Sequence, residues 1–300
     1  MDVAISGASG LIGGALRRSL AGDDHRVLAL VRRPPRSGDE IPWDPVAGTL
    51  DPAALDGVDA VVHLAGAGIA DKRWSADRKR ELVESRTRGT SLLAGVLAKL
   101  DRPPKAFISG SAVGYYGDGG ETELTETSPP GDVFLSELCQ AWEAATEPTA
   151  AAGIRTAYIR TGLILTPDSG PLAKLLPLFK LGLGGRFGGG REFWSWISLT
   201  DEVRAIRFLI DHDVSGPVNL TAPNPVRNTE VTRVLGRVLH RPTFLTVPSF
   251  GLKLVLGSEL AEQLLFLSQR IVPSVLTEHG FTFEHPDIET ALRAALNRPD

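Results

Sequence analysis

The chain has 300 residues, 42% of them hydrophobic, and its 32 basic and 36 acidic side chains leave a formal net charge of -4. That length supplies a sizeable core in one large domain or two closely joined ones, and the mild acidity gives no basic footprint for nucleic acid. The single cysteine, Cys139, excludes an intrachain disulfide or a thiolate metal cluster, and no apolar run reaches the ~18 residues of a membrane span.

In chain order, short apolar runs at residues 3–6, 26–31, 60–64, 106–109 and 156–160 read as strands. Helical patterns fall at 11–21, 75–100, 133–152, 200–211 and 258–271, with Thr200 as the N-cap of the fourth. Strands alternating with helices mean βαβ units, and continuous apolar strands fit a parallel sheet covered on both faces. The fold class expected is therefore α/β, a doubly wound parallel Rossmann-type sheet with a smaller C-terminal substrate-facing domain. Residues 1–166 make the dinucleotide-binding domain, with 195–222 returning to it. Residues 167–194 and 223–300 make the smaller one, beginning where Pro and Gly punctuate the pattern. Met1-Asp2-Val3 runs into the first strand without a basic leader, so a cytoplasmic protein is expected. The six histidines never fall at i, i+4, and no metal site is expected.

Between the first strand and the first helix lies Gly7-Ala-Ser9-Gly10-Leu11-Ile12-Gly13, a G-x-x-G-x-x-G loop. A dinucleotide needs glycine here: the chain must turn tightly, the backbone must approach the pyrophosphate, and the helix must offer its free N–H groups to that anion. Gly7, Ser9, Gly10, Leu11, Ile12 and Gly13 are accordingly cofactor-binding candidates. At the end of the second strand, where an NAD site carries an acidic residue on the ribose, stand Arg32 and Arg33. Guanidinium groups suit a 2′-phosphate, so NADP is the expected cofactor; a merely solvated strand end is the alternative.

These motifs, together with Val62-His-Leu64-Ala65-Gly66, Ile108-Ser-Gly-Ser111-Ala-Val-Gly-Tyr-Tyr116-Gly117 and Arg160-Thr-Gly162, resemble an extended short-chain dehydrogenase/reductase. Trp43-Asp-Pro45, the segment from Phe134 to Glu143, Trp194-Ser-Trp196-Ile with Asp201, and the stretch from Pro248 to Phe281 narrow the resemblance to its atypical epimerase family group. The resemblance spans nearly the whole chain. It implies that Leu64, Ala65, Gly66, Glu81, Arg86 and Leu163 approach the cofactor, and that Ser111 polarises a substrate oxygen.

The Tyr-x-x-x-Lys pair of such enzymes is missing: four residues beyond the three tyrosines, Tyr115, Tyr116 and Tyr158, lie Gly119, Gly120 and Gly162. The resemblance places Leu135 at the tyrosine position and Cys139 at the lysine position. Arg86 stands where the usual helix asparagine does and restores a cation. Tyr116 is a candidate proton donor beside a cation such as Arg86, or else a packed aromatic. Cys139 is a redox-sensitive thiol or inert core. Trp194 and Trp196 are an aromatic wall or core, and Arg186 or Arg191 could meet a diphosphate that Trp194 cannot. The reading is an NADP(H)-binding, epimerase-like oxidoreductase acting on an unknown small molecule, without nucleic acid or membrane partners. Its alternative is a catalytically silent NADP(H)-binding redox sensor. Substrate and oligomeric state are not fixed by the sequence.

Overall fold

The computed structural model describes residues 1–298. Its centre is a sheet of β1 (Asp2–Ser6), β2 (Arg26–Val31), β3 (Glu40–Asp44), β4 (Thr49–Leu50), β5 (Ala60–His63), β6 (Ala106–Ala112), β7 (Arg155–Thr161) and β8 (Gly216–Leu220). Their spatial order is β8-β7-β6-β5-β1-β2-β3-β4, and all neighbours are parallel except β3 and β4. The order reverses at β1, so the crevice beyond the carboxyl ends of β1 and β5 is the place for a ligand.

The α-helices up to residue 239 are α1 (Leu11–Ala21), α2 (Ala76–Leu97), α3 (Phe134–Ala144), α4 (Glu147–Ala151), α5 (Gly170–Lys180), α6 (Leu199–Asp211) and α7 (Asn228–Leu239), with four shorter than α7 after it among the described residues. The strands are apolar on both faces because both are covered. Val3, Ile5, Val62 and Ile108 share one core with Leu16 and Leu20 of α1 and Ile206 and Leu209 of α6. The alternate residues Ala4, Val61 and Phe107 share another with Leu93 and Leu97 of α2. This is the doubly wound α/β sheet that the alternation implies. A third core joins Leu176 and Phe179 of α5, Val234 and Leu235 of α7, Trp194, Trp196 and Leu292.

Three local expectations are corrected. The 133–152 helix is two, because Pro148 cannot continue the ladder and α4 restarts with it in the first turn. Ser198, not Thr200, caps α6: its backbone is extended and its side chain accepts from the Asp201 N–H at 3.0 Å. The 258–271 pattern is a short helix, Ser258–Ala261, a π-turn at Glu262–Phe266, and a strand at Arg270–Ile271. There Ser195 Oγ donates to the Gln269 carbonyl at 2.6 Å and accepts the Ile271 N–H at 2.9 Å, which holds the backbone extended. Among the described residues no helix is long and apolar enough to cross a membrane.

Candidate functional site

Gly7 ends β1 in the left-handed region, φ 71°, where a Cβ would lie 2.9 Å from the Leu64 carbonyl carbon. Gly13 is the closest approach of α1 to that turn, because a Cβ on it would lie 2.3 Å from the Gly7 oxygen. Gly10 caps α1 with an extended backbone and no side-chain hydrogen bond, so the free N–H groups of the first turn remain available to an anion. Gly7, Ala8 and Ser9 line a groove of about 1060 Å³, with Leu64, Ala65 and Gly66 across from them at the end of β5. Leu11, Ile12 and Gly13 lie behind this rim in α1.

The groove's far end is basic. Arg32 and Arg33, just beyond β2, line it with Arg17 of α1, and among the described residues Arg32 has no ion pair. Arg33 is forked onto Glu40 by bonds of 2.8 and 2.6 Å, and that side-chain pairing holds the half-buried Glu40 carboxyl down to about 2. Of the two arginines singled out from the sequence, Arg32 is thus the one with an open fork. Arg17 had been missed; its signal is the i+4 spacing from Gly13, which sends it to the same side of α1. A turn without room for Cβ and a free helix terminus fit the pyrophosphate of a dinucleotide.

At the other end the wall is α2. Glu81 lines the groove and pairs with Arg78 at 2.7 Å. Arg86 is buried, its guanidinium carbon 4.9 Å from the centre of the Trp142 ring and packed so that a Cβ on Gly66 would lie 3.2 Å from it. It borders a second cavity of about 200 Å³, shared with Leu163, Trp194, Cys139 and the segment 263–269. Burial pulls Arg86 down to about 10, with Cys139 opposing and Arg78 adding to the fall. It stays a cation at neutral pH. At the end of β5, buried His63 shares a hydrogen bond of 2.5 Å between its Nδ1 and Ser6 Oγ, and burial, with Arg86, lowers it to about 3.

Ser111 ends β6 with its hydroxyl turned away, donating to Glu143 Oε1 at 2.6 Å. Arg160 of β7 grips the same carboxylate, and its remaining nitrogen donates to the Tyr116 hydroxyl at 2.9 Å. Tyr116 in turn donates to Asn219 Oδ1 at 2.6 Å. The cation beside Tyr116 is therefore Arg160, not Arg86, since the single 3-10 turn Val113–Tyr116 after β6 brings it against β7. Burial pushes this hydroxyl up to about 12, against the pull of Arg160. Burial, reinforced by Glu143, pushes the Cys139 thiol up to about 12 as well. Ser111 and Tyr116 line neither cavity, whereas Cys139 does. Trp194 lines the smaller cavity and Trp196 is core, its indole N–H donating to the Asn224 carbonyl at 3.2 Å. Arg186 and Arg191 line neither.

The sequence reasoning also missed Glu202, a fully buried carboxyl on α6 that accepts from Thr161 at 2.8 Å. Burial lifts it to about 8, against the Thr161 bond. Among the described residues no group of three or more His, Cys, Asp or Glu is placed to hold a metal ion.

Residues 3–221 match the model of the NAD-dependent epimerase/dehydratase family, and 247–295 match a domain of unknown function, DUF1731. The Mycobacterium leprae epimerase family protein ML0860 is 45% identical over 298 residues, 99% of this chain and 96% of its own length. A crystal structure of the human epimerase family protein SDR39U1 with NADPH has 32% identity and a TM-score of 0.90, covering 99% of this chain and all of the human one. The nucleoside-diphosphate sugar epimerase from Corynebacterium glutamicum is 38% identical with a TM-score of 0.79; the match covers 99% of this chain and 58% of that one. With its model matched from the first strand through β8, this chain belongs to the NAD-dependent epimerase/dehydratase family.

Proposed function

We propose that this chain binds NADP(H) and acts as an atypical short-chain oxidoreductase on a small molecule held in the 200 Å³ cavity. The observation that carries the reading is that the glycine-turn groove and the cavity meet at one wall, made by Gly66 and Arg86. The α1 terminus would receive the pyrophosphate, and Arg32 with Arg17 the 2′-phosphate. A bound NADPH supplies hydride from its nicotinamide. Arg86, 7% exposed, then supplies the positive charge that holds the substrate at this wall, in surroundings with little water to screen it. The likeness to a human protein solved with NADPH supports the same cofactor.

A second reading, an NADP(H)-binding redox sensor without turnover, is favoured by the two candidate proton donors. Both Tyr116 and Cys139 are raised to about 12, far above neutral pH. Calorimetry with NADPH and NADH tests the cofactor: at least tenfold tighter NADPH binding is expected, and absence of binding refutes both readings. Oxidation of NADPH with any of a panel of small carbonyl compounds then selects the enzyme over the sensor.

A further inference from the structure

The smaller cavity is walled by Leu138, Trp142, Trp194 and Leu267, and Arg86 is the one charged side chain among those lining it. Arg86 is 7% exposed, and the hydrogen-bond acceptor it has is a carbonyl of its own helix, Leu82 O at 3.1 Å. Its buried Nε has no partner, and no carboxylate pairs with it among the described residues. The face of Trp142 offsets part of the cost of burying this cation. An unpaired buried charge is otherwise expensive, and an anion that arrives with its own apolar surface offsets the rest.

Apart from the indole N–H groups of Trp142 and Trp194, which are buried without a partner, the other polar side chains lining the cavity are engaged. Gln263 Oε1 accepts the Leu135 N–H at 3.0 Å, and Gln269 Nε2 donates to the Val113 and Gly117 carbonyls at 3.0 and 2.9 Å. One guanidinium matches a single negative charge, so a dianionic phosphate would be left half compensated. The volume lies below the ~300 Å³ at which sites for drug-sized ligands begin, too little for a nucleoside diphosphate sugar.

Resting on the reading of this cavity as the substrate site, we propose that its ligand is a small monocarboxylate with a flat apolar body. The carboxylate pairs with Arg86 and the body lies against Trp142 and Trp194. Fluorescence of these tryptophans in the NADP⁺-saturated protein reads the test, with benzoate as probe and benzamide as its neutral match. Benzoate is expected to bind at least tenfold more tightly than benzamide, and Arg86→Gln to abolish that preference while Arg86→Lys keeps part of it. Equal binding of the two probes, binding of neither, or a preference that survives Arg86→Gln overturns the proposal. So does benzoate binding that vanishes when NADP⁺ is added, since Arg86 would then serve the cofactor. The wild-type comparison stands even if Arg86→Gln fails to fold. Calorimetry with NADP⁺ alone separates a failure of this inference from a failure of the cofactor reading.

Discussion

Arg160 holds Glu143 through two parallel bonds, Nε to Oε1 at 2.8 Å and Nη2 to Oε2 at 2.9 Å, across β7 and α3. Both partners are nearly out of contact with water, so each is the other's main compensation for lost hydration. Removing one side leaves a bare charge, which costs about 3–5 kcal/mol, whereas replacing both by apolar side chains is close to neutral. Glu143→Ala is expected to lose that amount in urea unfolding, and the pair Glu143→Leu with Arg160→Met to recover most of it. Equal losses in the single and double variants would mean that packing, not the pair, is what matters.

Ser111 depends on the same carboxylate. Its hydroxyl gives Glu143 Oε1 a bond of 2.6 Å and faces away from the cavity. Ser111→Ala should therefore cost about 1 kcal/mol of stability and leave NADPH affinity unchanged. An unaltered Tm together with lost turnover would give Ser111 a direct part in the chemistry instead.

The glycine turn was legible in the sequence because its cause is local. Gly7 and Gly13 are six positions apart, and the conflict that a Cβ on Gly13 would create is with Gly7 itself. The Arg160, Glu143, Tyr116 and Asn219 network was not, because it draws on four separate elements whose residues meet only when β6, β7 and β8 lie side by side. The same holds for the smaller cavity: residues 263–269 reach it through a π-turn that no apolar period announces. β3 and β8 escaped notice because Pro42 and Pro217 break their apolar runs.

Gly13→Ala tests the turn. The new methyl must displace the Gly7 backbone, at a cost of about 1–3 kcal/mol, and it tilts α1 away from the groove. NADPH affinity should fall at least tenfold along with the Tm. Retention of full affinity would remove the α1 terminus from the binding site.

Arg32→Glu tests the basic end. Arg32 has an open fork while Arg33 is engaged with Glu40, so the reversal should act on the 2′-phosphate alone. A charge-assisted bond is worth about 1.5–3 kcal/mol, which predicts roughly 10- to 150-fold weaker NADPH binding with NADH little changed. If both cofactors weaken equally, Arg32 does not read the phosphate.

Glu202 makes the pH dependence specific. Its carboxyl is sealed between α6 and Thr161 and is raised from 4.5 to about 8 by burial, so the folded protein keeps a proton that the unfolded chain releases above 4.5. The stabilisation from this proton is full below pH 4.5 and is lost as pH rises through 8, because unfolding frees a carboxylate that water solvates. The loss across that window is on the order of 3–5 kcal/mol. Glu202→Gln keeps the acceptor for Thr161 and carries no titrating proton, so its unfolding free energy should lack this decline and exceed that of the wild type at pH 8. Parallel pH profiles of the two proteins would show that Glu202 is ionised in the fold, with its second oxygen, which has no hydrogen-bond partner, finding compensation elsewhere.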